Sequence, residues 1–178
     1  MPFRWFVSVF VLAVLSACAL AQDKPAAADA VDFRKLKELL PAELNGIKRN
    51  EHTGEKIKLG EFVMSTAKAE YGTNSEKENP PTITVEIQDF GATKGMADAL
   101  TIWSTAEIDR DGDDGYEKTL KVKEHPAKET WNKESKSGEI MVWVAKRYIV
   151  TLRTENLPSE QMKKAAETLP LDKLAALK

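Results

Sequence analysis

The chain has 178 residues, with 26 Lys and Arg against 28 Asp and Glu, a formal net charge of −2 and a single cysteine. So mild a balance excludes the strongly basic field that nucleic acids require, and it leaves no polybasic patch for an anionic membrane. One cysteine excludes an internal disulfide framework.

Arg4 is the only charge before Asp23, and residues 5–15 are apolar except Ser8. A bilayer span needs roughly twenty apolar residues, so this run is too short for one. A basic start, a short apolar run and then small residues make the pattern of a secretory signal peptide. Two processing points overlap. Ala19-Leu20-Ala21 suits ordinary signal peptidase and gives a leader over residues 1–21. Leu15-Ser16-Ala17-Cys18 resembles the lipobox of bacterial lipoproteins, giving a leader over 1–17 and lipid attachment at Cys18. Ala19 stands where an aspartate would favour inner-membrane retention, so that resemblance implies the outer membrane. The expected location is therefore the periplasm, or a membrane reached only through a lipid anchor. Residues 1–21 hold one basic residue and no acid, which leaves 25 basic against 28 acidic residues, a net −3, in the mature chain.

Residues 22–31 are small and polar and read as a linker, followed by one domain over 32–178. Asp32 is suited to cap a short helix carrying Phe33, Leu36 and Leu40 on one stripe, which Pro41 should end. Residues 47–52 and 57–71 read as two strands around Thr53-Gly54-Glu55. The stretch from Gly72 to Pro81 reads as a loop. Residues 82–90 alternate, with Ile83, Val85 and Ile87 opposite Thr84, Glu86 and Gln88, and predict a half-buried strand. From Thr93 to Ile108 the apolar residues recur at helical spacing and predict an amphipathic helix that buries Trp103.

After an acidic stretch over 109–115, four short strands are expected at 116–123, 127–132, 139–145 and 147–154. Residues 140–144 are apolar at every position, so that strand should be covered on both faces. Helices over 159–169 and 172–177 close the chain, the first with Met162, Ala165, Ala166 and Leu169 inward. The expected fold class is α+β: a single, mostly antiparallel sheet of six to seven strands covered by helices.

Asp109, Asp111 and Asp113 alternate along the acidic stretch and are the candidate metal ligands, since calcium favours wrapped carboxylates. The EF-hand pattern fails, with Asp114 at its glycine position and Leu120 at its final glutamate position. His52 and His125 are the only histidines and have no further nitrogen or sulfur ligand near them in sequence. Neither a Gly-x-Ser-x-Gly elbow nor Walker spacing occurs. No catalytic residue and no cofactor is assigned. Trp131, flanked by polar residues, is the candidate for a partner surface; Trp103 and Trp143 are assigned to the core.

Gly115-Tyr116-Glu117-Lys118-Thr119, His125-Pro126-Ala127 and Ala145-Lys146-Arg147-Tyr148, with a closing helix, resemble bacterial envelope lipoproteins. The order of elements over 32–177 is similar to the Mog1/PsbP-like α/β sandwich. That resemblance implies an interaction module and brings no functional residues with it. The expectation is a non-enzymatic binding or accessory domain of the cell envelope with a protein partner. An exported enzyme with a site assembled from distant residues, or a weak cation binder through residues 109–115, is the alternative.

Overall fold

Helix α1 (Phe33–Glu38) begins where the Asp32 carboxylate accepts a hydrogen bond from the Arg34 N–H at 2.8 Å. The structure is a computed structural model and describes residues 29–72, 78–91, 93 and 95–177. The leader and the Cys18 lipobox fall outside the described residues, as do residues 22–28 of the linker.

After α1 the chain forms β1 (Glu43–Leu44), β2 (Ile47–Leu59), β3 (Phe62–Gly72) and β4 (Thr82–Asp89). Helix α2 (Met96–Ser104) then leads to β5 (Asp109–Asp111), β6 (Gly115–Val122), β7 (His125–Asn132), β8 (Ser137–Val144) and β9 (Tyr148–Glu155). Helices α3 (Ser159–Thr168) and α4 (Leu171–Ala175) complete the domain. All nine strands join one sheet in the order β1-β2-β3-β4-β9-β8-β7-β6-β5, and every neighbouring pair is antiparallel. Two meanders, β1–β4 and β5–β9, therefore meet at the central β4–β9 pair. The segment carrying α2 is the one long connection between them.

Pairing of Val85 with Leu152 and of Ile87 with Val150 continues one apolar face across that junction. These side chains, with Ala67, Ala69, Tyr71, Ile140, Val142 and Val144, belong to one buried cluster. Helix α1 covers the face over β2 and β3, while α3 and α4 cover it over β8 and β9. Leu36, Met162, Ala165, Ala166, Leu171 and Leu174 supply the helical side of the core and are almost completely buried. Each large apolar side chain so placed stabilises the fold by about 1.5–3 kcal/mol relative to exposure. Tyr71 and Tyr148 are buried beside them, each donating its hydroxyl to a backbone carbonyl, of Pro41 and of Leu177.

The expected sheet of six to seven strands covered by helices is corrected on both counts. Asn45 and Gly46, at φ 51° and 79°, make the left-handed turn that folds β1 back onto β2. Residues 109–111 pair with β6 and add an edge strand where a loop was expected. Gly54, assigned to a turn, instead lies inside strand β2. A Cβ there would come within 2.7 Å of the Phe33 ring, so the glycine admits α1 rather than reversing the chain.

Helical cover is sparse: the four helices have six, nine, ten and five residues. Most of the second sheet face is polar, with Thr84, Glu86 and Gln88 half-buried on β4. An antiparallel sheet with a polar face can meet water directly and needs no second layer of helices.

Candidate functional site: an exposed helix face and two buried carboxylates

The tryptophans exchange the roles that sequence assigns to them. Trp131 is only 9% exposed, whereas Trp103 is 52% exposed and its neighbour Ile102 71%. Trp131 lies on the core face of β7, opposite Gly138 of β8. A Cβ on Gly138 would lie 2.6 Å from Trp131 Cε3 and 3.0 Å from Met162 Sδ, so the missing side chain makes room for the indole beneath α3. One edge of Trp131 still borders a shallow groove with Lys133, Leu157 and Pro158. Trp143 is buried, as expected, but on the opposite face and apart from the main cluster.

Helix α2 buries Leu100 and turns Ile102 and Trp103 outward. It lies on the second sheet face, where Lys128 Nζ of β7 stands 5.8 Å from the Trp103 ring centroid. Lys128 is held there by Glu117 at 3.1 Å, and this lysine is the main reason the Glu117 carboxyl is held below its usual range. Periodicity alone gave no warning of this exposure. Leu100 and Trp103 stand three apart on one side of the helix, yet only Leu100 is buried, so an apolar stripe does not show how far along the helix its cover extends.

Asp89, at the end of β4, is fully buried. Arg147 donates to both of its oxygens, from Nε at 2.7 Å and from Nη2 at 2.8 Å. The Val31 N–H (2.6 Å) and the Gly91 N–H (2.8 Å) donate to the same carboxylate. Arg147 also reaches the Asp29 carbonyl at 3.0 Å, while Lys56 Nζ binds the Asp29 carboxylate at 2.9 Å and the Ala30 carbonyl at 2.7 Å. Asp29, Ala30 and Val31, at the end of the sequence's linker, are thus fixed to the sheet. The hydrogen bond to Asp89 raises the already high pKa of Arg147, against the effect of burial.

Glu129 is the second fully buried carboxylate. Tyr116 donates its hydroxyl to Oε1 at 2.5 Å, with Lys163 Nζ at 3.5 Å from Oε1 and Lys118 Nζ at 3.9 Å from Oε2. Oε2 itself accepts no hydrogen bond. Burial raises the Tyr116 pKa, and its bond to Glu129 raises it further. For Lys163, burial acts to lower the pKa, but the Glu129 and Tyr116 charges outweigh it and the net shift is upward. Through Lys163 this group ties α3 to β6 and β7.

Asp109 and Asp111 are exposed on β5, and Asp113 is exposed in the turn that follows. Between the first two, Arg110 pairs with Glu117 at 2.8 Å. Lys133 Nζ lies 3.5 Å from Asp111 and 2.7 Å from the Gly112 carbonyl, so a lysine ammonium sits where a metal ion would collect oxygens. Among the described residues, no three His, Cys, Asp or Glu side chains are grouped to hold a metal ion. His125 Nε2 is 3.9 Å from Asp172, and His52 lies far away on β2.

Among the described residues, the fold and its surface thus define an open antiparallel-sheet domain with an outward-facing apolar surface on helix α2. Compared with protein-family models, curated proteins and solved structures, the chain finds no match.

Proposed function

We propose that this chain is an exported, non-enzymatic binding domain of the cell envelope that docks a folded partner protein through Ile102 and Trp103 of α2. The observation that carries the reading is the exposure of these two large apolar residues side by side, 71% and 52%. Tryptophan is enriched among the residues that dominate protein interfaces, because its large apolar ring loses little conformational freedom on binding. Asp89 ties the site to the tether. Its carboxylate holds Val31, where the linker enters, and Gly91, where the chain departs toward α2. The root of the linker and the approach to the binding helix therefore share one anchor. Export rests on the leader pattern of residues 1–21 and membrane attachment on Cys18.

The test is a double variant, Ile102→Ser with Trp103→Ala, expressed in the native host. Wild type should run as a high-mass complex on native gels, and the variant should keep the wild-type melting temperature and lose that complex. A complex that survives the double change would remove α2 from the interface.

A further inference from the structure

A second feature lies on the other sheet face, between α1 and β2. The strand is irregular there: Arg49 pairs with Tyr71 and Glu51 with Glu70, so Asn50 is an extra residue. A bulge of this kind re-aims the side chains that follow it. Arg49 and His52 both end up opposite core-face residues of β3, Tyr71 and Ala69, and therefore point toward α1. Without the bulge, strand alternation would set them on opposite faces.

Arg34 and Lys37 of α1 complete a groove of about 570 Å³ with an apolar floor of Leu40, Pro41 and Ala42. Glu38 is the one carboxylate on its wall. Arg49 is held in place: Nη1 donates to the Leu40 carbonyl at 2.7 Å and lies 3.4 Å from that of Pro41. Tyr71 fixes the same corner by donating to the Pro41 carbonyl at 2.9 Å. Lys37 lies across Gly54, whose added Cβ would meet its Cδ at 3.1 Å. Arg34, Lys37 and Arg49 against Glu38 thus line a cleft of ligand size, with Arg34 already paired to Asp32 at 3.4 Å, on a chain whose net charge is negative.

We infer that this groove binds a small oxyanion ligand, a phosphate ester or a carboxylate, with Arg49 and Lys37 as its principal charge partners and an apolar stem lying on Leu40 and Pro41. Guanidinium groups suit such anions because their planar donors match two oxygens at once. His52 reports on the site. His52 is exposed, but partial desolvation by its surroundings lowers its pKa from the ordinary 6.5, and the Arg49 and Lys37 charges lower it further. Arg34 and Glu38 on α1 are the remaining charges on the groove wall, and the β3 residues beneath, Ala69 and Tyr71, carry none at neutral pH. An anion bound among these cations reverses their effect on the imidazole.

The experiment is an NMR titration of the two histidines of the full mature chain with pyrophosphate, with citrate, and with vesicles of phosphatidylglycerol. Saturating ligand should raise the His52 pKa by about one unit and leave His125 unmoved. Lys37→Glu should weaken binding by about tenfold or more, and Arg49→Gln should do the same wherever its melt shows it folded. A response to pyrophosphate or citrate assigns the site to free small anions, and one to vesicles alone assigns it to a lipid headgroup. Equal shifts at His52 and His125, or no saturation at millimolar ligand in physiological salt, would overturn the inference. Neither outcome bears on Trp103, so this site and the α2 surface stand or fall separately.

Discussion

Arg147 grips Asp89 through two nitrogens of its guanidinium, at 2.7 and 2.8 Å, and the same carboxylate receives the N–H groups of Val31 and Gly91. A fully buried carboxylate is tolerable because all of these donors converge on it. Removing the arginine leaves the charge buried with its strongest partner gone. Arg147→Met should cost roughly 3 kcal/mol in urea unfolding. It should also expose Asp29, Ala30 and Val31 to protease in the native state, since Arg147 holds the Asp29 carbonyl as well. A loss below about 1 kcal/mol with unchanged proteolysis would show that the two backbone donors suffice without it.

The tryptophans should separate in their effects on stability. Trp131→Ala removes a ring packed over Gly138 and against Met162, and should cost about 3–5 kcal/mol. Trp103→Ala, on an exposed helix face, should change stability by no more than about 0.5 kcal/mol. Denaturant melts of the two variants check this, and equal costs would mean that α2 packs more deeply than its exposure indicates.

The turn from β8 to β9 stores strain. Arg147 N–H closes it onto the Val144 carbonyl at 3.1 Å, and both central residues, Ala145 and Lys146, are left-handed at φ 52° and 55°. Side chains make that conformation costly by about 1–2 kcal/mol per residue, which is why Asn-Gly is favoured at such turns. Replacing Ala145-Lys146 with Asn-Gly should stabilise the protein by about 1 kcal/mol and raise Tm by about 3 °C. A lower Tm in thermal melts would show that the wild-type pair makes compensating contacts.

All three tyrosines resist ionisation. Burial raises each pKa: that of Tyr71 is pushed up to about 12, and the Glu129 bond adds to the rise at Tyr116, as the Asp89 charge does at Tyr148. A folded pKa above the unfolded value of 10 means that folding favours the neutral phenol. That stabilisation is complete below pH 10 and disappears as pH climbs through the folded values. Lys163, also raised, loses its contribution in the same direction. Stability should therefore fall steeply above pH 10, with tyrosinate absorbance appearing together with unfolding. A tyrosine that ionises near pH 10 while the circular dichroism stays native would contradict this account.

Much of the fold was legible where the pattern was local. The alternation of residues 82–89, the buried stripe of Met162, Ala165 and Ala166, and the Asp32 cap each sit in the structure as their spacing predicts. What sequence left hidden depends on distant partners. Gly54 reads as a turn until α1 is seen against it, and residues 109–111 look like a loop until β6 supplies a pairing edge. Trp131 has polar neighbours along the chain, but Gly138 and Met162 come to it from other elements. The bulge at Asn50, which brings Arg49 and His52 to one side, leaves no periodic signature in residues 47–59.

The central claim is that the Ile102–Trp103 surface of α2 meets a partner protein. The most direct measurement places a photo-crosslinking amino acid at position 102 of the full-length chain in its native host, with a second position, Glu55 on β2, as control. The account predicts a discrete adduct from position 102 that disappears with Trp103→Ala, and none from position 55. Equal crosslinking from both positions, or an adduct indifferent to Trp103, would contradict it.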